Sequence, residues 1–267
     1  MTLLTALFAS SCNLDPEPPQ LPPLRVVSTV PEAVDGGVAT QPAGPPLSIT
    51  FNRLLAPSTI HGGTVQVTSG AIGVFGGLRY DVIRRRVEFI PDARAFRRTI
   101  QYEFAIRGDL RAWDGAPLAN PAVIRFVAGD AVTPPARPTR TLSRDVAPLL
   151  AARCATAGCH VGAEPAMGLD LSSAGAIVRT ALRVASRERP APGPAGASPG
   201  DPRWGAMLRI DPGVSPQQGR PEYSYLVYKI LGDGPVIGAR MPPDGPPLSD
   251  EESAAVADWI ALGAPVN

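Results

Sequence analysis

The sequence predicts a two-domain protein, with an all-β sandwich followed by a mainly α domain. Residues 24–129 run in short apolar stretches broken by turn residues, with little helical periodicity. Residues 141–267 begin and end with amphipathic helical patterns. The proline-rich segment 130–140 separates the two parts and reads as a linker. A length of 267 residues fits two modest domains.

Residues 1–23 are predicted to be an export signal and a tether. The apolar run "MTLLTALFASSC" ends in small residues and a cysteine, and it is too short to span a bilayer. Its end resembles a bacterial lipobox, although the usual leucine is replaced by Ala9 and no basic residue precedes the run. The resemblance implies lipidation of Cys12, and the alternative is an apolar terminus with a chance cysteine. We expect a membrane partner through this lipid anchor, in the periplasm or at the cell surface, with the outer membrane favoured.

The overall composition excludes several classes of function. A formal net charge of +1 with 18% charged residues creates no strong field, which argues against nucleic-acid binding. The sequence shows no Ser-His-Asp set, no paired-carboxylate cleft and no phosphate-binding glycine loop. We therefore expect no enzymatic turnover by this chain alone.

The first domain is predicted to be an antiparallel sandwich of about seven short strands, because turn signals recur every 8 to 12 residues. The clearest strand is "IQYEFAIRG", in which alternate residues from Ile100 to Ile106 fall on one face. His61 lies in an expected loop, where we predict an exposed side chain without a ligand role. Other predicted strands are "RVVSTV", "LSITFN", "TVQVTS", "RRVEFIP" and "VIRFVAG".

The same region resembles the bacterial Ig-like domains of S-layer and other surface proteins. The resemblance is carried by "VEFIPDARAFRRTIQYEFAIRGDLRAWDGAPLA", by the closing "IRFVAG" and by an opening strand with a proline-containing turn. It covers about a hundred residues and implies a spacer or docking unit. It supplies no catalytic residue.

Two amphipathic helices are predicted at the ends of the second domain. Ser143 is the expected N-cap of the first helix, which leads to Cys154. Ser249 and Glu252 have the spacing of a capping box at the start of the last helix. The buried side of that helix is expected to carry Val256, Trp259, Ile260 and Leu262.

The stretch "CATAGCH", from Cys154 to His160, raises three alternatives. The haem attachment signature is C-x-x-C-H, whereas four residues separate the cysteines here. A zinc site would need a fourth ligand from a carboxylate or from His61. A disulfide between Cys154 and Cys159 is compatible with their separation, and an exported chain occupies an oxidising compartment.

The wider order of pieces resembles the cytochrome c superfamily. The pieces are "CATAGCH", "AMGLDLSSAGA", "YSYLVYKILG" and "RMPPDGPPLSDEESAAVADWIALGAP". The resemblance implies one covalent haem c, with Cys154 and Cys159 as thioether anchors and His160 and Met241 as axial ligands. Met207 is the rival for the distal position. Arg240 is expected either to pair with a haem propionate or to be a solvated loop charge.

These patterns lead to two main functional hypotheses, and to a third in which Met241 is absent from the iron and an open distal site binds a small ligand, as in a sensor or a peroxidase-like subunit. The first is an exported, lipid-anchored c-type cytochrome that performs one-electron transfer with redox partner proteins of the cell envelope. The alternative is a haem-free surface interaction module with a Cys154–Cys159 disulfide. The sequence leaves both open.

Overall fold

Strands occupy the first part of the chain and helices the second. The computed structural model describes residues 21–134, 136, 138–188, 207–215 and 218–267. The predicted lipidation site, Cys12, lies outside these residues.

The strands form two sheets that face each other across a shared core. The four-stranded sheet has the order β1 (Val26–Val30), β3 (Leu47–Phe51), β7 (Arg86–Pro91) and β6 (Gly76–Asp81). The five-stranded sheet has the order β2 (Ala39–Ala43), β9 (Ala122–Ala131), β8 (Gln101–Ile106), β4 (Val65–Ser69) and β5 (Ile72–Gly73).

Strand alternation sends one face of each sheet into the core. Tyr102, Phe104 and Ile106 of β8 are all buried, as the period of two predicts, whereas Ile100 precedes the strand and is exposed. The ring of Phe96 contacts those of Tyr102 and Phe126 in edge-on geometry, with centroids 5.0 and 5.4 Å away. This aromatic cluster fills one end of the sandwich.

One strand pair departs from the purely antiparallel arrangement that we expected. After β1 the chain crosses to the other sheet, where β2 runs parallel to the last strand, β9. β1 and β2 lie at the edges of different sheets, so the connection between them is a crossover from one sheet to the other and not a hairpin. The sequence did not predict strands at β2 and β6, because β2 contains Pro42 and β6 begins with Gly76 and Gly77, which are unfavourable in strands.

Short helices and irregular segments make up the second part of the chain. The first helix starts as a π-helical turn, Leu142–Val146, and continues as α1. Its N-cap is Thr141, whose hydroxyl accepts from the Arg144 amide at 3.3 Å, so the prediction of Ser143 was two residues late. The helices are α1 (Ala147–Cys154), α2 (Ala174–Thr180), α3 (Tyr225–Leu231) and α4 (Asp250–Ala261).

The last helix begins as the sequence predicts, but it ends before Leu262, which is only partly buried. Ser249 and Glu252 make the reciprocal capping box, with hydrogen bonds of 3.1 and 2.7 Å. Val256, Trp259 and Ile260 are completely buried. Among the described residues, no helix has the length and apolar character needed to cross a membrane.

The prediction of a two-domain chain with a mainly α, cytochrome c-like domain is wrong. The structure is only 21% helical, and β-sheet is its main regular structure. Even the longest described helix, α4, has 12 residues. Proline and glycine stop the helices early: Gly232 ends α3 in a left-handed conformation, and the proline-rich segment 242–247 separates α3 from α4.

The sandwich and the helices share one continuous hydrophobic cluster. Leu54 and the ring of Tyr228 both approach Gly234 so closely that an added Cβ would lie 3.0 and 2.7 Å from them. Arg85 pairs with Asp233 at 3.2 Å across the same boundary. The two parts of the chain therefore pack against each other in addition to being joined by residues 130–140.

Candidate functional site

The motif cysteines, the motif histidine and Met241 line one cavity. The cavity measures about 290 Å³, and its wall is formed by the end of α1, the loop 155–160 and the segment 241–246. An adjoining cavity of about 70 Å³ shares Cys154, His160 and Met241 and extends towards α3. The structure thus brings together side chains from two segments about eighty residues apart.

The loop after α1 turns back on itself and returns Cys159 towards Cys154. The Cys159 amide donates to the Thr156 carbonyl at 2.9 Å, and the His160 amide donates to the Cys154 carbonyl at 3.2 Å. Gly158 permits this turn because its φ of +81° is readily adopted only by glycine. The four-residue spacer therefore keeps both sulfurs at one site.

The two cysteines have different surroundings, and both are free thiols in this structure. Cys154 is buried at the end of α1, whereas Cys159 is partly exposed. Burial is the main cause that raises the pKa of Cys154 to about 11; Arg153 opposes this shift, and the nearby Cys159 contributes to it. Cys154 is thus a neutral thiol at physiological pH, and its direct reactivity is low.

His160 is oriented by a backbone carbonyl. Its Nδ1 lies 3.1 Å from the carbonyl oxygen of Leu169. Because a carbonyl only accepts, Nδ1 must donate, and the lone pair of Nε2 is left available. This arrangement suits an imidazole that accepts a hydrogen bond or ligates a metal through Nε2.

Met241 reaches the cavity because its segment is tied to two helices. Its amide donates to the carbonyl of Lys229 on α3 at 2.8 Å. Arg153, at the end of α1, donates to the carbonyls of Pro246 and Pro247 at 2.9 and 3.0 Å. The proline-rich segment therefore closes one side of the cavity.

The other predicted ligands lie elsewhere. Met207 is buried but lines neither cavity, and its carbonyl accepts from Ser186 at 2.9 Å. Arg240 donates to the Gly245 carbonyl at 3.2 Å and also lines neither cavity. His61 is exposed and lines a separate cleft in the sandwich, where its Nδ1 accepts from the Gly63 amide at 3.0 Å.

Sequence reasoning missed three residues that shape the site. The carbonyl of Leu169 and the guanidinium of Arg153 act through long-range contacts that no local pattern indicates. Lys229 could have been noticed from the sequence, because it is the sole lysine of the chain and every other strongly basic residue is arginine.

Comparisons with known proteins give little guidance. No protein-family model matches the chain, and no curated protein matches it. Among solved structures, the S-layer protein SbsC is 11% identical with a TM-score of 0.30, covering 45% of this chain and 15% of that protein. The L,D-transpeptidase from Mycobacterium smegmatis is 14% identical with a TM-score of 0.28, and the match covers 40% of this chain and 41% of that protein. These likenesses are too weak to carry an argument about function.

The prediction that the chain belongs to the cytochrome c superfamily is wrong. No family model and no curated protein matches the chain, so neither comparison returns that superfamily. The described part of the chain also holds no group of three or more His, Cys, Asp or Glu side chains arranged for a metal ion. The two-sheet architecture agrees with the β-sandwich predicted for the first part of the chain.

The high pKa of Cys154 gives a test of the site. At pH 8 only about one in a thousand of its thiols is ionised, because a pKa of about 11 lies three units higher. Alkylation of Cys154 by iodoacetamide, followed by peptide mass mapping of the reduced protein, should therefore rise about tenfold per pH unit between pH 8 and 10. The same peptide from urea-unfolded protein should approach its plateau near pH 9. A folded-state plateau at that pH would contradict the assigned burial.

Proposed function

We propose that the chain is a haem-free interaction module of the cell envelope, located in the periplasm or at the cell surface and stabilised by a Cys154–Cys159 disulfide. In this proposal the sandwich binds a partner protein of the envelope, and the second part of the chain supports it. The N-terminal segment with Cys12 would supply the membrane anchor. The proposal assigns no catalytic turnover to the chain.

The observation that carries the interaction function is an exposed apolar corner of the sandwich. Ile72 and Phe75, at the junction of β5 and β6, are 74% and 80% exposed. Their neighbours Gly73, Val74 and Gly76 line a cleft of about 600 Å³ between the two sheets. Large apolar side chains clustered beside an open cleft are typical of a protein-binding surface.

The cavity geometry supports the disulfide. Cys154 and Cys159 lie at the two ends of a tight turn, and both line the same cavity. Disulfide formation removes two electrons and two protons, which in an exported protein pass to the disulfide of an oxidoreductase. The partly exposed Cys159 is the thiol that such a partner reaches first, and Cys154 then closes the bond.

The interaction surface can be tested with two substitutions. Ile72→Ser and Phe75→Ser should each weaken binding to purified bacterial cell envelopes about tenfold or more, because apolar anchor residues dominate binding energy. Binding is measured by co-sedimentation over a protein concentration series. Val214→Ser, at a residue that is 86% exposed in the other part of the chain, is the matched control. Unchanged binding by the Ile72→Ser, Phe75→Ser double variant would rule out this surface.

A second candidate function is one-electron transfer through one covalently bound haem c. The observation that favours it is that His160 and Met241 line the same cavity as both cysteines. In that case Cys154 and Cys159 would form the thioether bonds, and Nε2 of His160 and the sulfur of Met241 would face the iron. When bound, the haem would supply one-electron redox chemistry to envelope redox partners. The cavity of about 290 Å³ is at the small end for an enclosed organic ligand, which is why this candidate comes second.

One preparation separates the two candidates. The protein is expressed for export together with bacterial haem-maturation machinery and purified without reductant. The disulfide proposal predicts a colourless protein without reactive thiols at Cys154 and Cys159, and dithiothreitol should lower its free energy of unfolding by about 2 kcal/mol. A Cys154→Ser, Cys159→Ser double variant should not respond to dithiothreitol. Visible absorption with haem retained on a denaturing gel would instead establish the second candidate.

A further inference from the structure

Lys229 is a buried cation in a chain that otherwise uses arginine. It is the sole lysine among 25 lysine and arginine residues, and it lies on α3 with a relative exposure of 7%. It also lines the smaller cavity beside Met241. Burial of a charged side chain lowers the stability of the folded state unless its hydrogen-bonding groups are satisfied. The contacts of Lys229 therefore indicate its role.

Lys229 contacts the loop between α3 and Met241 at two points and a carboxylate outside that loop. Its Nζ donates to the carbonyl of Ile237 at 2.8 Å, in the middle of that loop. Its own carbonyl accepts from the amide of Met241 at 2.8 Å, at the end of the loop. The Nζ is also 3.5 Å from a carboxylate oxygen of Glu188, which balances its charge.

Tyr225 repeats the same connection one helical turn earlier. Its hydroxyl donates to Glu188 at 2.7 Å and accepts from the amide of Ile237 at 3.0 Å. Burial, together with Glu188, raises the pKa of Tyr225, so the hydroxyl stays protonated and remains a donor. Tyr225 and Lys229 are neighbours on one face of α3, and between them they satisfy both the amide and the carbonyl of Ile237.

We infer that Lys229, with Tyr225 and Glu188, forms a clamp whose role is to hold the thioether of Met241 in the cavity of Cys154 and His160. Lysine suits this position because its ammonium is a compact donor on a long stem, and it reaches one carbonyl and one carboxylate from a buried helix. Lys229 is a positioning residue, since it acts on the cavity through the Met241 loop. The inference rests on the proposed function in that it concerns the cavity of the Cys154–Cys159 pair, and it deepens the supporting role that the proposal gives to this part of the chain.

The test is the rate at which hydrogen peroxide oxidises Met241, read by peptide mass mapping of the full-length protein. Lys229→Met keeps the length of the side chain and removes the charge-assisted hydrogen bond, so it should speed oxidation of Met241 about tenfold by opening the loop. Tyr225→Phe should act in the same direction with a smaller effect. Lys229→Arg, which retains the charge and a donor, should restore most of the protection.

Met207 is the internal control because it is buried in the same part of the chain but lines neither cavity. The inference requires that its oxidation rate stay unchanged in Lys229→Met. Unchanged oxidation of Met241 would overturn the clamp. A parallel rise at Met207 would also overturn it, because Lys229 would then support the whole second part of the chain. Intact mass under non-reducing conditions reports the disulfide separately, so failure of the proposed function is distinguished from failure of the clamp.

Discussion

The cavity exists because the segment from Met241 to Pro247 is bonded to two helices at once. The Met241 amide is fixed to α3 through the Lys229 carbonyl, and Pro246 and Pro247 are fixed to α1 through Arg153. Both helices end at this point, so the gap between them is lined by the loop residues that leave each helix. Without either connection, no hydrogen bond named above would hold the proline-rich segment beside the cysteines at that end.

The chemical character of the site follows from unequal environments of its members. Cys154 is buried and neutral, Cys159 is partly exposed, and His160 offers Nε2 because Nδ1 donates to Leu169. In our proposal this set forms a disulfide, with Cys159 as the accessible partner, and the second candidate would use the same residues for a haem. The small volume between the walls favours the disulfide, and the orientation of His160 is the strongest argument for the haem.

Local patterns predicted those features that are determined locally. The strand alternation of β8 and the capping box of α4 depend on neighbouring residues, and both formed as expected. The resemblance to the cytochrome c superfamily also named Met241, with Met207 as its rival, and Met241 lines the cavity with His160 whereas Met207 does not. The helical content of the second part of the chain could not be predicted. The amphipathic patterns of its first and last helices carry no information about the irregular segments between them. The clamp was missed for a similar reason, since it joins Lys229 to Ile237 and Glu188 through tertiary contacts.

The most direct test of the account is a crystal structure of the exported protein purified without reductant. We predict continuous density between the sulfurs of Cys154 and Cys159, at a separation of about 2.05 Å, with the side chain of Met241 inside the cavity. Separate thiols with Met241 turned to solvent would contradict both the disulfide and the clamp that holds Met241 in the cavity. Flat density of a haem between His160 and Met241 would contradict the disulfide and establish that this cavity binds haem.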